Sequence, residues 1–429
     1  MELIVETTNR LKGSVTPPSS KSHSVRAVLL ASLCRGTSKI RNLLKSDDTE
    51  AALDIAKALG ANIEERKDML LLNGFGLPLN PKDRLFSRDS GISTKFTLPL
   101  LGFQKDGNKT IILDAGEQMR RRPIMPLVET LNKLGMNIVP ARSDCPFPLA
   151  VSGILRGGIA EVDGKSSQYI SALLLALPLA PADSVMRVKN LQERPYVDMT
   201  LSWLDRLGVF YKHSHSGDTD LYEIPGQQAY LPFEISIPGD FSSASYTIAA
   251  AALIHGDVLV KGLDMNDPQS DKRLIEILRD MGADIQKLAE GLQIRGRGTL
   301  RGMTIDANDI PDMLPTLAVV GACAEGETRI VNVAHARIKE TDRIHSMYEG
   351  LKAMGADIEE LPDGLLVRQS RLTGARVHGC HDHRSVMALA LAGMIAEGQT
   401  VIDTAESVGK TYPGFVEDMK GLGGVMALG

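Results

Sequence analysis

Six times along the chain a small or polar cluster opens directly onto a short Ala/Leu-rich run. The clusters Ser19–Ser22, Asp89–Gly91 and Gly164–Gln168 precede Val25–Leu33, Phe96–Leu101 and Ile170–Leu179. Gly239–Ser245, Ile310–Asp312 and Asp382–Arg384 precede Tyr246–Ile254, Met313–Ala324 and Val386–Ala396. Anchored on Ser20, Ser90, Ser166, Ser242, Asp312 and Asp382, the steps are 70, 76, 76, 70 and 70 residues. A second marker recurs in its own phase: Leu59-Gly60, Leu134-Gly135, Leu207-Gly208, Met281-Gly282, Met354-Gly355 and Leu422-Gly423, with steps of 75, 73, 74, 73 and 68. Two markers with one period predict one supersecondary unit used six times.

Each unit predicts two kinds of helix. The one ending at the Leu/Met-Gly marker is amphipathic, as in Ile344, Met347, Leu351 and Met354, and the glycine suits the left-handed position that closes a helix. The one opened by the polar cluster is apolar nearly all round, as in Ala249–Ile254, which predicts burial on every side. Short segments such as Asp284–Gln286, Gly291–Ile294 and Thr304–Asp306 read as strands. Helices inside and sheets outside follow, in an α/β fold of two three-repeat halves. The Pro/Gly-bearing crossover near Leu231–Gly239 separates residues 20–234 from a second domain of 1–19 plus 235–429.

Composition narrows the function. The 429 residues are 43% hydrophobic and 24% charged, with a net charge of −5, so no overall basic field gathers nucleic acid. Cys34, Cys145, Cys323 and Cys380 are scattered, as in a reducing compartment. No apolar run has membrane-spanning length, and Met1–Lys12 lacks a basic stretch followed by an apolar core. A cytoplasmic protein with no membrane partner is expected.

Against that acidic balance, the charges near the helix openings are mostly cations: Lys21, Arg26, Arg122, Lys339, Arg343, Arg384 and Lys410. Ser22 and Arg26 are four apart and share a helical face. Pro123, as a first-turn proline, would put Arg122 just before a helix. Free N–H groups at helix starts, joined by arginine forks and lysine charges, favour phosphates and carboxylates. Asp312 and Glu340 stand among these cations; an anion pocket gains nothing from negative charge, so both are candidates for proton transfer. The competing readings are a helix cap for Asp312 and ion pairing for Glu340. Ser166, Ser167, Gln168, Ser242 and Ser243 are either caps or ligands for a polar substrate. His378–His383 crowds its potential ligands and has no partner pair at metal spacing. Gly409-Lys410-Thr411 lacks the glycine of a phosphate loop, since position 404 is Thr404. No metal is expected.

These residues carry a family resemblance. Ser20-Lys21-Ser22 with Arg26, Asn42–Asp48, Arg122-Pro123, Ser166-Ser167-Gln168, Arg194-Pro195-Tyr196, Gly239-Asp240 with Ser242–Ser245, Ile310–Asp312, Arg337 with Lys339–Arg343, Asp382–Arg384 and Lys410 occur in order. Across essentially its whole length the chain resembles the EPSP synthases, 3-phosphoshikimate 1-carboxyvinyltransferases of the enolpyruvyl transferase family. The resemblance implies two similar inside-out α/β barrel domains, each of three βαβαββ repeats, with the active site in the cleft between them. It implies transfer of the enolpyruvyl group of phosphoenolpyruvate (PEP) to the 5-hydroxyl of shikimate 3-phosphate, on the route to aromatic amino acids, by a monomer without a cofactor.

By the same resemblance Asp312, Glu340, Lys21 and His383 are catalytic. Shikimate 3-phosphate is held by Lys21, Ser22, Arg26, Ser166, Ser167, Gln168, Tyr196, Asp312, His335 and Lys339. PEP is held by Lys21, Gly91, Arg122, Gln168, Arg343, Arg384 and Lys410. Some positions depart from the family pattern: Ile92 replaces a small hydroxyl residue, Lys95 an arginine, Glu193 a serine and His335 an asparagine. Ile92 and Phe96 are expected to shift the helix carrying Gly91 and weaken the PEP-site inhibitor glyphosate more than PEP. Alternatives are a UDP-N-acetylglucosamine enolpyruvyl transferase, disfavoured by Lys21-Ser22 and by the lack of cysteine in Asp114–Arg122, and a non-catalytic or RNA-processing protein on the same repeat.

Overall fold

The computed structural model describes residues 1–142, 145–296 and 299–429. Contacts gather into two compact units, Lys21–Ile237 and Met1–Ser20 with Pro238–Gly429. The strands form six separate four-stranded sheets. The segment from Gly158 to Ile224 shows the plan: strand Gly158–Asp163 pairs parallel with Ser184–Lys189. Thr219–Ile224 and Lys212–Ser216 then add in antiparallel fashion. Helices Ser167–Ala176 and Arg194–Arg206 fall between these strands in sequence, so the unit reads βαβαββ.

Three sheets are completed by strands distant in sequence. Glu234–Ser236 lies parallel to Arg35–Arg41 and supplies the first strand of the sheet that Lys21–Leu33 follows. Leu3–Glu6 sits between Thr400–Ile402 and Val425–Leu428, and Leu11–Val15 lies parallel to Gly256–Val260. The amino-terminal strands therefore belong to the unit that contains the second half of the chain.

The two helix classes differ in burial as their sequences do. All ten residues of Gly91–Leu100 are buried, and the consecutive Leu173, Leu174 and Leu175 are each 2% exposed or less. Consecutive helical residues point about 100° apart, so burial of three in a row requires neighbours on every side. Each such leucine contributes about 1.5–3 kcal/mol relative to exposure. The sheets alternate instead: Ser184–Lys189 hides every second residue, leaving one face to solvent. In the amphipathic helix Arg343–Ala353, Ile344, Met347 and Leu351 are buried, as is Met354 just beyond it. All six marker glycines take positive φ, from 69° at Gly208 to 108° at Gly282 and Gly423, where a β-carbon would be strained. No helix among the described residues is long and apolar enough to cross a membrane.

Candidate active site

The helix openings in the unit Lys21–Ile237 gather cations and hydroxyls. Lys21 begins its helix and its ammonium lies 3.1 Å from Asp48, at the start of the next helix. Arg26, one turn further on, is 2% exposed. Its guanidinium donates to the carbonyls of Ser22 and Tyr196 at 3.0 Å each and to the Thr200 hydroxyl at 2.8 and 3.0 Å. It also lies 5.1 Å from the centre of the Phe96 ring, within cation–π range. Burial pulls its pKa down to about 9, against a smaller effect of Tyr196, so it stays cationic at neutral pH. All these hydrogen bonds go to neutral oxygens, leaving a buried positive charge suited to an anion.

Gly91 opens the next buried helix behind the cap Ser90, whose hydroxyl accepts from the Ser93 N–H. A β-carbon at Gly91 would stand 2.4 Å from Arg122 Nη1; the glycine is there to let the guanidinium approach. Arg122 does not precede its helix as the sequence predicts. The helix starts at Met125 with Pro126 as its first-turn proline, because Ile124 takes the cap position, and Pro123 lies outside. Tyr169 ties this segment to the third opening by donating to the Pro123 carbonyl at 2.8 Å. At that opening the Lys95 ammonium donates to Gln168 Oε1 at 2.8 Å and lies 5.6 Å from the Tyr169 ring centre. Ser166 is at the cap position but its side chain makes no cap bond. Ser167 instead donates to Glu193 at 2.7 Å, both residues being buried.

In the other unit, one arginine joins three acids. Arg343 is 1% exposed; its Nη1 donates to Asp312 at 2.6 Å, its Nη2 to Glu340 at 2.7 Å and its Nε to Asp382 at 2.7 Å. Burial works against its charge, but Asp382, Glu340 and Asp312 outweigh that and raise its pKa. Arg384 reaches the other oxygen of Asp312 at 2.7 Å. Asp382 caps the helix His383–Ile395, accepting from the Arg384 N–H at 2.7 Å. Asp312 lies within a short 3₁₀ turn, Pro311–Met313, and its carboxylate is spent on arginines, so capping does not explain it. Glu340 does pair with its neighbour, three residues away. His335 and His383 are buried. Burial keeps His335 below its ordinary pKa, despite opposing effects of the Asn308 backbone and Asp312. Lys339 ends the 3₁₀ turn Ala334–Ile338, and Lys410 ends that of Ala405–Lys410. Among the described residues no cluster of three or more His, Cys, Asp or Glu could hold a metal; His378 instead pairs with Asp403.

Several partners escaped the sequence reading as site residues. Thr200 lies one turn after Tyr196, so helical spacing from that residue was a usable signal. Asp382 anchors a repeat and belongs to a segment that carries the resemblance, but the sequence gives it no site role. Nothing local marks Asp271, whose buried carboxyl accepts from the Ser242 hydroxyl. Burial, then the charge of Asp312, pushes it up to about 7.

Buried cations at helix starts in one unit, and three acids on one arginine in the other, suit an enzyme of mixed α/β fold that acts on anionic substrates. The family model of EPSP synthase (3-phosphoshikimate 1-carboxyvinyltransferase) matches residues 5–419. The chain is 46% identical over 410 residues to the 3-phosphoshikimate 1-carboxyvinyltransferase of Acetivibrio thermocellus, covering 95% of each. It is 44% identical over 419 residues to that of Ruminiclostridium cellulolyticum, covering 97% of this chain and 98% of the relative. A solved EPSP synthase from Acinetobacter baumannii superposes with a TM-score of 0.83 at 26% identity over 99% of each chain. The chain belongs to the EPSP synthase family.

Proposed function

We propose that this chain transfers the 1-carboxyvinyl group of PEP to the 5-hydroxyl of shikimate 3-phosphate, releasing phosphate. The observation that carries this reading is the sharing of Arg343 by Asp312 and Glu340. The reaction needs two acid–base groups beside a cation: one takes the proton of the attacking hydroxyl, and one gives a proton to the PEP methylene carbon. As the hydroxyl oxygen bonds to the neighbouring carbon, Asp312 removes its proton and Glu340 protonates the methylene, giving a tetrahedral intermediate. Loss of a methyl proton and of phosphate restores the double bond. Lys21 assists the proton transfers, and His383 hydrogen-bonds near the reacting centre.

Arg122, Arg343, Arg384 and Lys410 hold PEP, with Gly91 giving Arg122 room and Gln168 between the ligands. Ser22, Arg26, Ser166, Ser167, Tyr196, His335 and Lys339 hold the acceptor. The arginines then serve twice. Before PEP arrives they neutralise Asp312 and Glu340; once PEP draws on them, the carboxylates lose compensating charge and hold a proton more readily. Each half is taken as an inside-out α/β barrel of three repeats, with the substrates held in a cleft between halves. Glyphosate is the expected PEP-site inhibitor, and a cytoplasmic monomer the expected form.

Phosphate release from PEP, with shikimate 3-phosphate and UDP-N-acetylglucosamine offered separately, tests the reading. Release with shikimate 3-phosphate alone supports it. Release only with the nucleotide sugar overturns the acceptor, and release with neither overturns the activity.

A further inference from the structure

The first turn of a buried helix carries free N–H groups and a partial positive charge. At Ser167–Ala176 a negative side chain already stands at that end. Glu193 accepts the Ser167 hydroxyl proton at 2.7 Å, and each residue is 2% exposed. The preceding residue is tied down, the Gln192 N–H bonding to the Gly164 carbonyl at 2.9 Å. Glu193 itself takes φ 55°, a left-handed conformation that costs a residue with a β-carbon about 1–2 kcal/mol. Its surroundings therefore hold the carboxylate in place. Glutamate is seldom so buried, and capping of its own helix, Arg194–Arg206, does not account for it, since its side chain makes no cap bond there.

We infer that Glu193 is an internal anion that the acceptor's phosphate must displace, which makes it a residue that sets affinity for phosphorylated acceptors. The inference rests on the function proposed above, in which Ser166 and Ser167 hold the acceptor, and it takes the acceptor's phosphate as the group that meets Ser167. Ser167 has one hydroxyl proton to donate. The carboxylate and the phosphate cannot both receive it, and two anions brought together repel. Acceptor binding is thus an exchange of one anion for another. An acceptor with no phosphate meets no such competition.

The test uses the full chain with Glu193→Gln, which keeps the shape and removes the charge, and Glu193→Ser, which removes both. Calorimetric titration with shikimate 3-phosphate and with unphosphorylated shikimate reads the effect. In both variants Kd for shikimate 3-phosphate is expected to fall about tenfold, following relief of the like-charge contact. Kd for shikimate and KM for PEP are expected to change less than about twofold. Unchanged or weaker binding of shikimate 3-phosphate, in variants that melt close to wild type, overturns the inference and leaves the function standing. An equal gain for both acceptors also overturns it, because the effect would not concern phosphate. A wild-type chain that neither binds shikimate 3-phosphate nor releases phosphate from PEP with it overturns the function and this inference together.

Discussion

Gly91→Ala isolates the geometry of one arginine. The added β-carbon would lie 2.4 Å from Arg122 Nη1 and 2.9 Å from Cζ. An unstrained contact needs about 3.5 Å, so the guanidinium must retreat by about 1 Å. The helix itself has no objection: Gly91 is not among the positive-φ glycines, and alanine is favoured over glycine in a helix by up to about 1 kcal/mol. Stability is therefore expected to hold or rise while PEP binding suffers. A displacement of about 1 Å at a reacting site costs up to about 100-fold, so kcat/KM for PEP is expected to fall about 10- to 100-fold. KM for shikimate 3-phosphate serves as the internal control, since Arg26 and Ser167 lie elsewhere in the unit. Phosphate-release kinetics and a melting curve decide the matter. A PEP KM within twofold of wild type refutes the reasoning, and so does an equal loss for both substrates.

Three further perturbations test the acid cluster. Glu340→Gln keeps a partner for Arg343 but cannot exchange the proton, so kcat is expected to fall about 10²–10⁴-fold with both KM values little changed; a collapse of the fold instead would support a purely ion-pairing role. Arg343→Lys leaves one ammonium for three carboxylates and loses about two charge-assisted hydrogen bonds worth about 1.5–3 kcal/mol each; melting temperature and kcat/KM for PEP should both drop, and near-wild-type values in both would contradict the shared-arginine reading. Asp271→Asn tests a pH dependence. With its folded pKa raised to about 7 from 3.8, the folded chain keeps a proton that the unfolded chain releases, so stability present below the unfolded value is lost as pH rises towards 7. The variant's melting temperature relative to wild type is thus expected to rise between pH 5 and pH 8, and a constant difference would exclude the shift.

The repeat was legible because it is written twice, in the apolar runs and in the glycines, and both follow from backbone constraints that act locally. A glycine closing a helix at positive φ and a helix with no polar face are decided within a dozen residues. The site was legible in its residue types but not in its pairings. Sequence places Arg343 beside Glu340, yet its contacts to Asp312 and Asp382 span 31 and 39 residues, and only folding brings them together. Pro123 misled for the opposite reason: Pro126, three residues on, meets the same local rule and is the first-turn proline. Phe96 illustrates a further limit. Read as a residue that disturbs Gly91, it lies with its ring against Arg26, one turn and a half along the helix from that glycine. That contact spans 70 residues of sequence, which no helical periodicity could have indicated. Positions that break a family's pattern need their neighbours identified before their effect can be assigned: Glu193 and Lys95 each meet a partner more than 25 residues away in sequence.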